Sequence, residues 1–232
     1  MHPGLSVPLG RESKCAAVII TLTFHPELVE TQRPALVVIA GPNGAGKTTL
    51  TESVLAHHWL EHCKYVNPDL IAEQEFGGWN DSQSVLRAAQ EAERRREACL
   101  EARRSIAFET VLSTASKVDF VRRALASGFF VRLFFVGTDS PAINANRVAK
   151  RVIKGGHDVP ISKIITRHGR SIANLGALLP NVDRGYVYDN SMDGESPRLV
   201  FRSVDGRLKK TYGHPCRWAE QVAELVWGSS CR

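Results

Sequence analysis

The stretch Ala-Leu-Val-Val-Ile-Ala-Gly-Pro-Asn-Gly-Ala-Gly-Lys-Thr-Thr-Leu, residues 35 to 50, decides how this chain folds. Its first six residues are continuously apolar, as in a strand buried on both faces of a sheet. Gly41 to Thr48 then fits G-x-x-x-x-G-K-S/T, and helix signal follows from Lys47 to about His58. Glycines let backbone N–H groups turn inward around phosphate oxygens, and the start of a helix adds a favourable field. The candidate phosphate ligands are Gly41, Asn43, Gly44, Ala45, Gly46, Lys47, Thr48 and Thr49. Lys47 would reach the β- and γ-phosphates, and the Thr48 hydroxyl would ligate Mg²⁺. Chance gives this pattern in roughly one chain of this length per hundred, and its place between strand and helix is rarer still.

Strand and helix signals alternate outward from this loop. Strands are expected at 64–67, 106–110, 129–136, 186–188 and 199–203, with helices at 82–104, 115–127, 141–153, 160–179 and 218–227. Gly128 has the place of a residue just past a helix end. The alternation predicts a three-layer α/β sandwich, a mainly parallel sheet with helices on both faces. Residues 1–30, broken by Pro3, Gly4, Pro8 and Gly10, read as an extension without assigned chemistry; the domain is expected over 31–228.

Bulk composition narrows the class. The 232 residues are 43% hydrophobic and 23% charged, which excludes collagen-like, disordered and disulfide-scaffold chains. Five scattered cysteines, with no C-x-x-C pair, suit neither zinc nor a disulfide framework. The apolar run Cys15 to Phe24 is too short to span a bilayer and lacks a small-residue cleavage site, so a cytoplasmic protein without membrane contact is expected. The formal charge is +6, and Arg147 to Arg170, with seven basic residues and one acid, carries all of it. Two helices around Gly155-Gly156-His157 would form a hinged lid, about 144–178, closing guanidinium groups over a phosphate. Val148, Val152, Ile161, Ile164 and Ile165 give that pair a buried side, and His157 reads as a lid-turn residue. Nucleic acid is not expected as a partner: Arg94, Arg95, Arg96, Arg103 and Arg104 interleave with Glu91, Glu93, Glu97 and Glu101 as in a salt-bridged, solvated helix.

The use of the nucleotide is read from strand ends. A GTPase is excluded, since D-x-x-G is absent and the nearest base-reading motif, Ser116-Lys117-Val118-Asp119, opens a helix. Asn67-Pro68-Asp69 ends the second predicted strand, where ligands gather in parallel sheets. Asp69 is there either a general base for an attacking hydroxyl or a helix cap. Phe108-Glu109-Thr110 puts a second carboxylate on the same rim, and Asp139 is either a metal-side acid or a helix cap.

Taken together, these residues resemble the zeta toxin family of P-loop kinases over roughly 34–191. The resemblance rests on Gly41 to Thr49, Tyr65-Val66-Asn67-Pro68-Asp69, Phe108-Glu109-Thr110, Arg147 to Pro160, Arg167, Arg170 and Asp189-Asn190-Ser191. It implies a P-loop NTPase fold with the loop-bearing strand central, and transfer of the ATP γ-phosphate to a hydroxyl of UDP-N-acetylglucosamine. It also implies that Lys47 and Thr48 bind phosphate and Mg²⁺, Asp69 is the base, Glu109 the substrate-side acid, and Arg151 and Arg167 the phosphate clamp. Thr110, Arg147 and Arg170 are further substrate-side candidates. The family pattern Glu-Gly-Thr is here Glu109-Thr110-Val111-Leu112-Ser113, and the clamping arginines stand slightly further apart, so another hydroxyl acceptor, a nucleoside or an antibiotic, is the alternative. A nucleotide-dependent regulatory or nucleic-acid-binding ATPase is the third reading. An antitoxin, if the chain has one, is expected to be a separate protein.

Overall fold

The computed structural model describes residues 33–55, 60, 62–78, 81–156, 158–213 and 216–228. The N-terminal extension, the apolar run from Cys15, the end of the first helix at 56–58, and His157 lie outside them. Seven strands form one sheet in the order β2-β3-β1-β4-β5-β6-β7. β1 (Ala35–Ala40) lies centrally between β3 (Ile106–Thr110) and β4 (Phe130–Gly137), and is parallel to both. β2 (Lys64–Val66) and β5 (Arg184–Asp189) extend the parallel part. β6 (Arg198–Val204) and β7 (Arg207–Thr211) add an antiparallel edge.

The alternation of β1 builds two cores. Leu36, Val38 and Ala40 face one layer, where they join Phe108, Leu133 and Phe135. That layer receives Ala92 and Cys99 of α3 (Ser82–Glu101) and Phe120 and Val121 of α4 (Ala115–Ala126). Leu175 and Leu178 of α6 (Ile161–Leu178) and Trp218 and Val222 of α7 (Arg217–Trp227) complete it. Val37 and Ile39 face the other way, with Ala107, Phe134, Val136 and Leu50 of α1 (Lys47–Leu55). Successive residues thus point to opposite buried faces, which is why β1 has no polar side.

Chain breaks follow local chemistry. α4 ends at Gly128 (φ +78°), where Phe129 N–H reaches Ala124 O and Gly128 N–H reaches Leu125 O, the paired closure of a Schellman turn. α5 (Pro141–Ile153) starts with Pro141, and the Ser140 side chain accepts from Ala142 N–H. Ser140 is therefore the cap, and Asp139 is exposed beside it. The second strand ends at Val66, before Asn67-Pro68-Asp69, and these residues open an unforeseen helix, α2 (Pro68–Glu75).

The helical hairpin α5–α6 is less separate than its charge suggested. Val148, Val159 and Ile164 make a small core of their own, whereas Leu175 and Leu178 belong to the main one. Val152, Ile161 and Ile165, expected on the buried side, are exposed. The basic helix α3 is salt-bridged as read, with Arg94 and Arg95 on Glu91, except that Arg96 is buried and stacks on the Phe108 ring at 5.3 Å. Among the described residues Cys63, Cys99 and Cys216 form no disulfide. Among the described residues no helix is long and apolar enough to cross a membrane.

Candidate active site

The loop between β1 and α1 is held in shape from outside. At Gly41 (φ +152°) a Cβ would stand 2.2 Å from Val136 O of the adjacent strand, so only glycine fits. At Gly44 (φ +76°) it would stand 2.5 Å from Asn144 O. Asn144 Nδ2 donates to Asn43 O at 2.6 Å, and Asn190 Nδ2 donates to Ala45 O at 2.8 Å. Asn144 is itself buried, its Oδ1 accepting from the Thr138 hydroxyl, while His168 Nε2 donates to Thr138 O at 2.9 Å. Arg167 Nη1 donates to Asn43 Oδ1 at 3.2 Å. A polar line thus runs from α6 through the end of β4 and α5 to the loop, with its buried groups paired.

Lys47 occupies the centre. Its ammonium donates to Gly41 O at 2.9 Å and Pro42 O at 3.2 Å. Burial pulls its pKa down to about 8; the carboxylates of Glu109 and Asp69 work against that fall, and the guanidinium groups of Arg151 and Arg167 reinforce it. Five expected residues therefore converge by their fields: Lys47 from α1, Glu109 from β3, Asp69 from α2, Arg151 from α5 and Arg167 from α6.

The two carboxylates are held differently. Glu109 Oε1 accepts from the hydroxyls of Thr51 and Tyr65, each at 2.7 Å. Asp69 is exposed in the first turn of α2, and its N–H donates to Asn67 Oδ1 at 2.9 Å. Asn67, and not Asp69, is the cap, so the Asp69 carboxylate is left out of the capping bonds.

The remaining candidates divide. Thr48 and Thr49 are exposed in the first turn of α1. Arg170 is exposed on α6, three residues beyond Arg167. The Thr110 hydroxyl accepts from Leu112 N–H at 3.0 Å, and so turns toward its own backbone. Arg147 is placed elsewhere. Its Nε bonds Asp193 Oδ1, Nη1 bonds Asn190 O and Nη2 bonds Met192 O, which ties α5 to the loop after β5. Gly156 packs on Arg151, where an added Cβ would lie 2.6 Å from Arg151 Cγ.

A family model for zeta toxin matches residues 21–191. The chain belongs to the zeta toxin family. The match ends on Asp189-Asn190-Ser191, the loop that holds the Ala45 carbonyl. The AvrRxo1-ORF1:-ORF2 complex with ATP is similar in fold, with TM-score 0.59 and 18% identity over 85% of this chain and 64% of that one. The chain thus spans less than two thirds of that relative. The PezAT toxin–antitoxin system of Streptococcus pneumoniae is similar too, with TM-score 0.56 and 16% identity over 85% and 80% of the two chains. The comparison with curated proteins returns no match.

Within this zeta toxin fold, sequence reasoning passed over Thr51, Asn144 and His168, and gave Tyr65 no role. Two of them carried a signal. Asn144 stands four residues before buried Val148, and His168 four after buried Ile164, so both are polar residues on apolar helical stripes. Such positions are filled when a buried partner waits for them.

Proposed function

We propose that this chain is an ATP-dependent kinase that phosphorylates a hydroxyl of a small molecule, a sugar nucleotide such as UDP-N-acetylglucosamine. The convergence of two carboxylates and two guanidinium groups on Lys47 carries the reading. The loop amides and Lys47 hold the β- and γ-phosphate oxygens. Asp69 takes the proton of the acceptor hydroxyl as its oxygen bonds to the γ-phosphorus, and the bond to the bridging oxygen of ADP breaks. Arg151 and Arg167 neutralise charge on the phosphoryl group in flight. Glu109, Thr110 and Arg170 belong to the acceptor side, and Arg147 holds the loop that shapes the nucleotide site.

The donors near the loop fit Mg²⁺. Thr48 offers one exposed hydroxyl, and among the described residues no cluster of three or more His, Cys, Asp or Glu makes a dedicated cage. That suits an ion held mainly by phosphate oxygens and water. Bound there, Mg²⁺ supplies charge neutralisation at the β- and γ-phosphates. A cytoplasmic setting and a separate antitoxin complete the proposal; the likeness to a toxin–antitoxin system supports the partner.

The test is Asp69→Asn, assayed with γ-labelled ATP against UDP-N-acetylglucosamine and a metabolite extract. ATP affinity should stay within about twofold, and transfer should fall by roughly 10²- to 10⁴-fold, the range of a lost general base. Transfer at the wild-type rate would remove Asp69 from the mechanism. The Thr110 hydroxyl, turned to Leu112 N–H, favours a second acceptor class, a nucleoside or an antibiotic, and the extract arm distinguishes the two.

A further inference from the structure

Glu109 and Asp69 enter the site from different elements, and one hydroxyl stands between them. Tyr65 of β2 donates to Glu109 Oε1 at 2.7 Å and accepts from Asn67 Nδ2 at 3.1 Å. Asn67 in turn caps α2, its Oδ1 accepting the N–H of Asp69 at 2.9 Å. The polarity of this line is forced. An ionised carboxylate only accepts, so the phenol gives its single proton to Glu109. The phenol oxygen then takes an N–H, which turns the Asn67 amide so that its oxygen meets Asp69 N–H. Burial first, and the Glu109 carboxylate second, push the Tyr65 pKa up, which keeps that proton in place. Thr51 offers a natural contrast, because it donates to the same Oε1 at 2.7 Å from α1, on the other side of the site from Asn67 and α2.

We infer that Tyr65 is a positioning residue, whose hydroxyl fixes the Glu109 carboxylate relative to the turn of α2 that carries Asp69. The acceptor is then gripped and deprotonated by two groups set at one spacing. Tyr65 itself touches no reacting atom. The inference rests on the kinase reading above, and deepens it by giving the first residue of Tyr65-Val66-Asn67-Pro68-Asp69 a task.

Tyr65→Phe keeps the ring and removes the link; Asn67→Ser keeps a helix cap and removes the same link from its other end. With γ-labelled ATP and UDP-N-acetylglucosamine, or the acceptor found in the extract, each should lower kcat roughly 10- to 100-fold, the scale on which a displacement of about 1 Å acts. The KM for ATP should stay within about twofold. The double variant should be no worse than the worse single one, since both remove one connection. A second readout needs no turnover: at fixed pH 7 the ¹³C signal of the labelled Glu109 carboxyl should shift in Tyr65→Phe, which has lost one of the two hydroxyl donors to Oε1. An unmoved Glu109 signal, or losses that multiply in the double variant, would overturn the inference. If Glu109 moves as expected while wild-type protein phosphorylates nothing, the kinase reading falls and the Tyr65 link stands.

Discussion

Replacing Lys47 with methionine should make the ligand-free protein more stable while removing its grip on nucleotide. The ammonium sits in a loop that lowers its pKa from 10.5 to about 8, with burial as the main cause. At about 1.4 kcal/mol per pH unit, holding the charge there costs about 3 kcal/mol of folding free energy at pH 7. Methionine removes that cost but leaves Gly41 O and Pro42 O without their donor, at about 1 kcal/mol in total for groups partly open to water. The net gain is about 2 kcal/mol, or roughly 4–8 °C in Tm for a domain of this size. The pH dependence gives the sign. Because the folded pKa lies below the unfolded one, wild-type protein bears the cost in full below about pH 8 and sheds it as pH rises toward 10.5. The advantage of Lys47→Met should therefore fade across that window. Thermal melts at pH 7 and 10, each with and without ATP, check all of this. ATP at about 100 times its Kd adds about 2.7 kcal/mol to the wild type and nothing to a variant that cannot bind it, which reverses the order. A variant no more stable than wild type at pH 7, or one equally favoured at both pH values, would refute the claim that burial sets the charge of Lys47.

Three further outcomes follow from the same geometry. Gly156→Ala should lower kcat about tenfold with a change in stability below about 1 kcal/mol, because the new Cβ turns the Arg151 stem and leaves the core alone; steady-state kinetics with a melt decide it. Asn144→Leu takes from the Thr138 hydroxyl its closest acceptor, leaving Ser140 O at 3.4 Å, and takes the donor from the half-buried Asn43 carbonyl, and should cost about 2–3 kcal/mol in urea unfolding together with ATP affinity; a loss below about 1 kcal/mol would show that the line bears no weight. Arg147→Met should raise the KM for ATP severalfold, through Asn190 and the Ala45 carbonyl, and leave the KM for the acceptor unchanged; a rise in the acceptor KM instead would return Arg147 to the substrate side.

The central fold was legible because its physics is local. Six apolar residues running into a glycine-rich turn read as a doubly buried strand, and β1, the loop and the start of α1 fall where the sequence puts them. The edges were harder. α2 has only eight residues and little amphipathic pattern, so no helix was expected over 68–75, although Asn67-Pro68 is a cap followed by a first helical proline. β7, Arg207–Thr211, exposes most of its side chains and forms only by pairing with β6, a contact that no local pattern announces. In the site, charged residues were visible because phosphate chemistry asks for them by type. The amides and hydroxyls that hold the loop were not, because their meaning comes from partners as distant as Asn190 is from Ala45. Arg147 is the converse case: a basic residue in a basic segment was read by its charge, while its Nε, Nη1 and Nη2 bond the loop after β5.

That reach across the sequence has a consequence for the protein as it is made. The loop over Gly41–Thr48 is made before the side chains that brace its carbonyls, which lie 101 and 145 residues downstream, at Asn144 and Asn190. Until β4 and β5 have docked, the nascent chain has the motif without the shape. The bracing of the loop is therefore completed only once residue 190 has been made, and a shorter chain carries the lysine and the glycines without both of those bonds.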